Sequence, residues 1–185
     1  MWQKRDDGIF DYSDIQQPGR IIVADDDPEL LEYLFNNAKA RALRELETVF
    51  NDKVRNQPIS VQFNNIPLFE REIWGIDFWL TRCANLVTPL QNTPFVEFSM
   101  VAIDEVRYKI KVILSDIVQI STFCLNVANI FEDRYYEMLV RINSETTHEP
   151  LNDLVDYNQI KDWFELSGID VSCLIDRDID YIIFE

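Results

Sequence analysis

Apolar residues recur at three- and four-residue steps along one stretch: Leu31, Phe35, Ala38, Ala42, Leu46, Val49 and Phe50. One face of an α-helix repeats with that period, so the spacing predicts a single amphipathic helix from Pro28 to about Arg55. At 1.5 Å per residue it would run roughly 40 Å. Its start is marked by chemistry. Asp27 is a good N-cap, Pro28 suits the first helical position, and Glu29 meets the positive end of the helix dipole. Lys39, Arg41, Arg44, Glu45 and Glu47 fall on the outer face.

Elsewhere the period changes to two. Ile59, Val61 and Phe63 alternate with Ser60 and Gln62, the pattern of a half-buried strand. Val96, Phe98 and Met100 alternate with Glu97 and Ser99, and Val106, Tyr108, Ile110 and Val112 with Arg107, Lys109 and Lys111. If both apolar sets face a core, these two strands form a hairpin whose loop, near Ile103 and Asp104, holds an odd number of residues. Glu97 then lies opposite Lys109 or Lys111. Ser115 and Asp116 can cap a helix carrying Ile117, Ile120, Cys124, Val127 and Phe131 on one face, and Tyr136, Met138, Val140 and Ile142 read as another strand. A further helix is expected from about Leu151 or Asn158 through Leu166, with Gly168 as its C′ glycine. A closing hairpin is expected from Ile169–Ile175 and Ile179–Ile183 around Asp176-Arg177-Asp178. Between Pro67 and Pro94 the bulky residues, including Trp74, Phe78 and Trp79, have a mixed period that separates neither helix from strand.

This order predicts an α+β fold: a mixed or antiparallel sheet packed against a long N-terminal amphipathic helix and one or two further helices. Residues 1–19, closed by Pro18-Gly19, read as an acidic and aromatic arm, and residues 20–185 as one α+β domain.

Charge changes the picture. The formal net charge of -16 sits at the two ends: residues 1–32 contribute -6 and 143–185 contribute -9, whereas 33–142 contribute -1. Acidic ends around a balanced middle point to surfaces meant for a partner rather than to a uniform solvating shell. The candidate partner-binding residues are Asp6, Asp7, Phe10, Asp11, Tyr12 and Asp14 at one end and Asp176, Asp178 and Asp180 at the other. Such a protein repels nucleic acid, so direct DNA or RNA binding is not expected. Nor is a membrane: the opening residues lead into no apolar run of signal-peptide length, and no stretch approaches the ~18 apolar residues of a span. The expectation is a cytoplasmic protein.

Candidate chemistry adds little. With only four glycines, the chain has few places for phosphate-cradling loops, and three widely spaced cysteines, Cys83, Cys124 and Cys173, read as buried reduced thiols. The lone histidine, His148, belongs to no triad or zinc pattern. Glu70, Glu72 and Asp77 have no spacing that favours acid–base work. Asp176-Arg177-Asp178-Ile179-Asp180 alternates carboxylates as a hard-cation site would, but without the glycine and distal glutamate of a calcium loop, and reads as a polar turn. No enzyme activity, cofactor or metal is expected.

Two resemblances follow from these residues. Ile21-Ile22-Val23-Ala24-Asp25-Asp26-Asp27-Pro28 is similar to the opening of a response-regulator receiver domain, with Asp77 as the phosphoacceptor position. Asp77 lacks the glycine turn that should follow, and an acidic N-cap accounts for the same residues. Across residues 28–133 the order of elements resembles the tail-terminator or tail-completion subunits of bacteriophages, without a shared motif. That resemblance implies a ring-forming structural subunit of a virion whose acidic arm and C-terminal hairpin touch neighbours. The sequence therefore leads to a non-catalytic interaction or assembly subunit, a homo-oligomer or part of a larger assembly. Its alternative is an acidic inhibitor, of the immunity or anti-defence kind, that blocks a basic groove on its target.

Overall fold

Asp27 starts the long helix as its chemistry predicts. Its Oδ1 accepts hydrogen bonds from the backbone N–H of Glu29 at 2.9 Å and of Leu30 at 3.2 Å, and helix α1 runs Pro28–Asn56. The structure, a computed structural model, describes residues 1–69, 75–101, 106–154, 157–165 and 171–184. The fold is α+β. Three strands precede the helix, β1 (Trp2–Lys4), β2 (Phe10–Tyr12) and β3 (Ile21–Val23), so α1 is long without being the first element. After it come β4 (Ser60–Phe63), β5 (Ile66–Phe69), α2 (Ile76–Asn92), β6 (Val96–Val101), β7 (Arg107–Val112) and α3 (Leu114–Ser144). The chain continues through α4 (His148–Asp153), α5 (Tyr157–Trp163), β8 (Ser172–Ile175) and β9 (Tyr181–Phe184). It divides into two compact units: Met1–Val49 with Tyr136–Trp163, and Phe50–Tyr135 with Phe164–Glu185. The boundaries fall inside α1, inside α3 and at the end of α5.

In the first unit, β2-β1-β3 form an antiparallel sheet. The residues expected as an arm supply its first two strands. Phe10 is buried with its ring 5.1 Å from Tyr33 of α1, and Lys4 pairs with Glu29. Gln3 is fully buried, and both polar atoms of its side chain are hydrogen-bonded. It donates to the Ile15 carbonyl at 2.8 Å and accepts from the Gln17 N–H at 3.0 Å, which folds the 13–17 loop back over the sheet.

The second unit holds two sheets. In β5-β4-β8, β4 pairs antiparallel with β5 and parallel with β8; β6-β7-β9 is antiparallel throughout. The predicted hairpin is β6–β7, with Glu97 opposite Lys111 and its carboxylate 2.5 Å from Lys109 Nζ. Val101 pairs with Arg107, so an odd number of residues intervenes, although 102–105 lie outside the described residues. Residues 76–92, where periodicity was mixed, are helical. Ile76, Trp79, Cys83, Leu86 and Leu90 make the buried stripe, and Trp79 Nε1 donates to the Ile59 carbonyl at 3.2 Å. Gly75 starts this helix because the backbone passes Arg55 closely. A Cβ on Gly75 would sit 2.1 Å from the Arg55 carbonyl oxygen.

Three expectations are corrected. Tyr136, Met138, Val140 and Ile142 are not a strand; they lie in α3. Their alternation is a coincidence of composition, because Met138 and Ile142 continue the buried four-residue steps of the helix while Tyr136 and Val140 are exposed. Nor do β8 and β9 form a hairpin: β8 joins β4 and β9 joins β7, in different sheets. Glu70, Glu72, Trp74 and Gly168, expected as a C′ glycine, lie outside the described residues. The expectation that no stretch approaches a membrane span does not hold for α3, which by length and composition alone is long and apolar enough to cross one. Its Ile117, Ile120, Cys124, Val127 and Phe131 are buried, whereas Val118 and Leu125 are exposed.

Candidate interaction surfaces

The acidic turn near the C-terminal end of the second unit is organised by its one basic residue. Arg177 Nε donates to Asp116 Oδ1 at 2.7 Å, and Arg177 Nη2 pairs with Asp116 Oδ2. Asp116 is 1% exposed. It stands in the first turn of α3 and reaches back to accept the Ile113 N–H at 2.9 Å, as a capping-box carboxylate does. Arg177 also donates to the Lys111 carbonyl at 3.2 Å and the Asp178 carbonyl at 2.9 Å, and its guanidinium lies 5.5 Å from the centre of the Phe63 ring. The hydrogen bonds to Asp116 hold the guanidinium pKa above its usual value. A planar fork suits this site because several acceptors lie around one charge.

Neighbouring polar groups complete the clasp. Asn64 Nδ2 donates to Asp176 Oδ1 at 3.1 Å. Asn65 accepts the Ile179 N–H and donates to the Ile179 carbonyl, both at 2.9 Å, imitating a strand partner. A cleft of about 270 Å³ beside it is lined by Gln62, Phe63, Asn64, Leu174, Ile175 and Asp176. Asp176, Asp178 and Asp180 are all exposed, and the Asp180 carboxylate lies 3.7 Å from Lys111 Nζ. The sequence signal for Arg177 is its isolation. It and Lys161 are the two bases among residues 143–185.

The clasp delivers the chain into β9, whose register fixes which groups face outward. The Lys111 N–H donates to the Asp180 carbonyl at 3.0 Å. In an antiparallel ladder the bonded positions alternate, so Ile182, opposite Lys109, turns its backbone polar groups toward β7. Those of Tyr181 and Ile183 therefore point to the other edge, where no described strand pairs. Tyr181, Ile182 and Ile183 are 41%, 57% and 52% exposed. Tyr181 and Ile183 lie opposite the buried Ile110 and Tyr108, so they extend the core face beyond its cover.

In the first unit the candidate residues separate. Asp6, Asp7 and Asp14 are exposed, and Asp7 caps a tight turn by accepting the Ile9 N–H, with Gly8 at φ 81° and Arg5 3.1 Å away. Asp11 pairs with Arg20. Tyr12 is exposed and stacks edge-on against Trp2, while Phe10 is inside. Sequence reasoning missed the exposed apolar company of these acids: Ile15 on the loop, and Ile21 and Ile22 on edge strand β3.

His148 lines a cleft of about 300 Å³ with Leu31, Glu32, Phe35, Thr146, Thr147 and Glu149. The Glu149 carboxyl is held below its usual pKa by its own backbone N–H, by Thr147 and by His148. The three cysteines, distant in sequence, come together in the second unit on α2, α3 and β8. All three are free and buried. Burial pushes the thiols of Cys83, Cys124 and Cys173 up to about 11, 12 and 11, and mutual proximity adds to the rise at Cys83 and Cys124. Among the described residues, no three His, Cys, Asp or Glu side chains are placed to hold a metal ion. Comparison with known proteins finds no matching family, no matching curated protein and no matching solved structure.

Proposed function

We propose that this chain is a non-catalytic protein-interaction subunit that associates through exposed apolar strands bordered by carboxylates. The observation that carries the reading is the edge of β9: three consecutive exposed apolar residues in a paired strand, beside exposed Asp178 and Asp180. Natural sheets blunt such edges with lysine, proline or a covering element, because an open edge is a template for another chain. Ile21 and Ile22 on β3 repeat the pattern in the first unit. The thiols do not supply a nucleophile. With pKa values of about 11 to 12 they are not thiolates at neutral pH, and thiolates are the nucleophiles.

Association takes one of two forms. In an assembly subunit, apolar burial dominates and contacts survive salt. In an acidic inhibitor, favoured by the exposed Asp6, Asp7 and Asp14, attraction to a basic target is screened as salt rises. Absolute mass by light scattering at low and moderate salt distinguishes them. A discrete oligomer that survives salt supports the assembly form. A monomer at both salts refutes self-assembly and leaves the inhibitor form.

A further inference from the structure

Resting on that reading, we infer that the open edge of β9 takes an extended segment of a different protein, added as an antiparallel strand with alternating apolar residues and a basic C-terminal end. Three observations converge on this occupant. The register turns the backbone groups of Tyr181 and Ile183 outward, so an added strand meets two amides and two carbonyls at its own spacing. The side chains of these two residues continue the buried row of Ile110 and Tyr108 and are half exposed, so every second residue of the new strand extends that core. The sheet is antiparallel throughout, which sets the direction. The incoming strand's C-terminal end therefore lies at the Asp178 and Asp180 end of β9, where both acids are exposed, and positive charge there is complementary.

The probes are two capped heptapeptides of alternating threonine and valine, one closed by two lysines at its C-terminus and one by two glutamates. Binding to the full chain is read by fluorescence anisotropy and by amide shifts of the parent protein. The lysine peptide is expected to bind and to shift Tyr181 and Ile183 most. Reversing its charges weakens binding about tenfold, because attraction becomes repulsion at two positions.

Ile183→Pro removes an outward N–H while leaving the β7–β9 bonds intact, so it is expected to fold and to lose binding by about tenfold or more. Ile182→Pro, which removes an inward bond, serves as the contrast and is expected to melt at lower temperature. Equal binding by parent and Ile183→Pro overturns the proposal, as do shifts elsewhere than β9 in the parent, a reading that needs no variant. A parent dimer that Ile183→Pro converts to monomer overturns it in favour of a second copy. A salt-stable assembly that Ile183→Pro leaves intact, with no peptide binding, removes β9 as the surface while the interaction reading stands.

Discussion

Replacing Arg177 with alanine tests whether the clasp holds the second unit together. The change leaves Asp116, 1% exposed, as a buried carboxylate that keeps its hydrogen bond from the Ile113 N–H but has lost its counter-charge. Removing one partner of a fully buried ion pair costs roughly 3–5 kcal/mol. The Arg177 side chain is 28% exposed, so water enters the vacated space and the lower end applies. The expected loss is about 3 kcal/mol, including the carbonyls of Lys111 and Asp178 that lose a donor. Arg177→Lys keeps the charge but not the fork, and roughly half the loss is expected. The double variant Asp116→Asn with Arg177→Met removes both charges and is expected to be more stable than Arg177→Ala alone. Urea unfolding followed by tryptophan fluorescence measures this, since Trp79 is buried in the same unit. A loss for Arg177→Ala below about 0.5 kcal/mol, the range of ordinary surface changes, refutes the reasoning.

Three further outcomes follow. Gly75→Ala forces a Cβ to 2.1 Å from the Arg55 carbonyl oxygen and is expected to cost about 2 kcal/mol in the same assay; a neutral result contradicts the close approach. Cys83, Cys124 and Cys173 hold their protons more tightly when folded than the usual 9.0, so their stabilisation is full below pH 9 and is lost as pH rises toward 11–12. Alkaline destabilisation should be smaller in Cys124→Ala, and an unchanged pH profile contradicts the burial argument. The Glu97 carboxyl is held below its usual 4.5, first by the hydrogen bond from Lys109, so its stabilisation is present above that value and lost as pH falls through the lower folded pKa. Glu97→Gln should differ from the parent near neutral pH and converge with it in acid, as urea midpoints across pH will read.

What was legible in the sequence was local. Asp27-Pro28-Glu29 and the three–four spacing after it specify α1 because a helix is closed by neighbours four residues away. The alternation and charge signs of 96–112 specify the β6–β7 register for the same reason. Residues 136–142 misled because tyrosine, methionine, valine and isoleucine alternated by chance, and only the tertiary core shows that Met138 and Ile142 are the buried pair. The closing hairpin was misread because its partners are remote. β8 pairs with β4, more than a hundred residues earlier, and Arg177 reaches back to Asp116. The three cysteines and the exposed apolar edges were invisible for that reason as well. Of the candidate residues, Phe10 proved to be inside, and the acids at 176–180 proved to surround a clasp whose central residue was the base between them.

Residue-resolved amide hydrogen exchange on the isolated protein tests the open edge of β9 most directly. The account predicts alternation: the Ile182 N–H protected by its bond to β7, and those of Tyr181 and Ile183 exchanging at rates close to an unstructured chain. Protection of all three in a protein shown to be monomeric would mean that the edge is already covered, and would contradict β9 as the working surface.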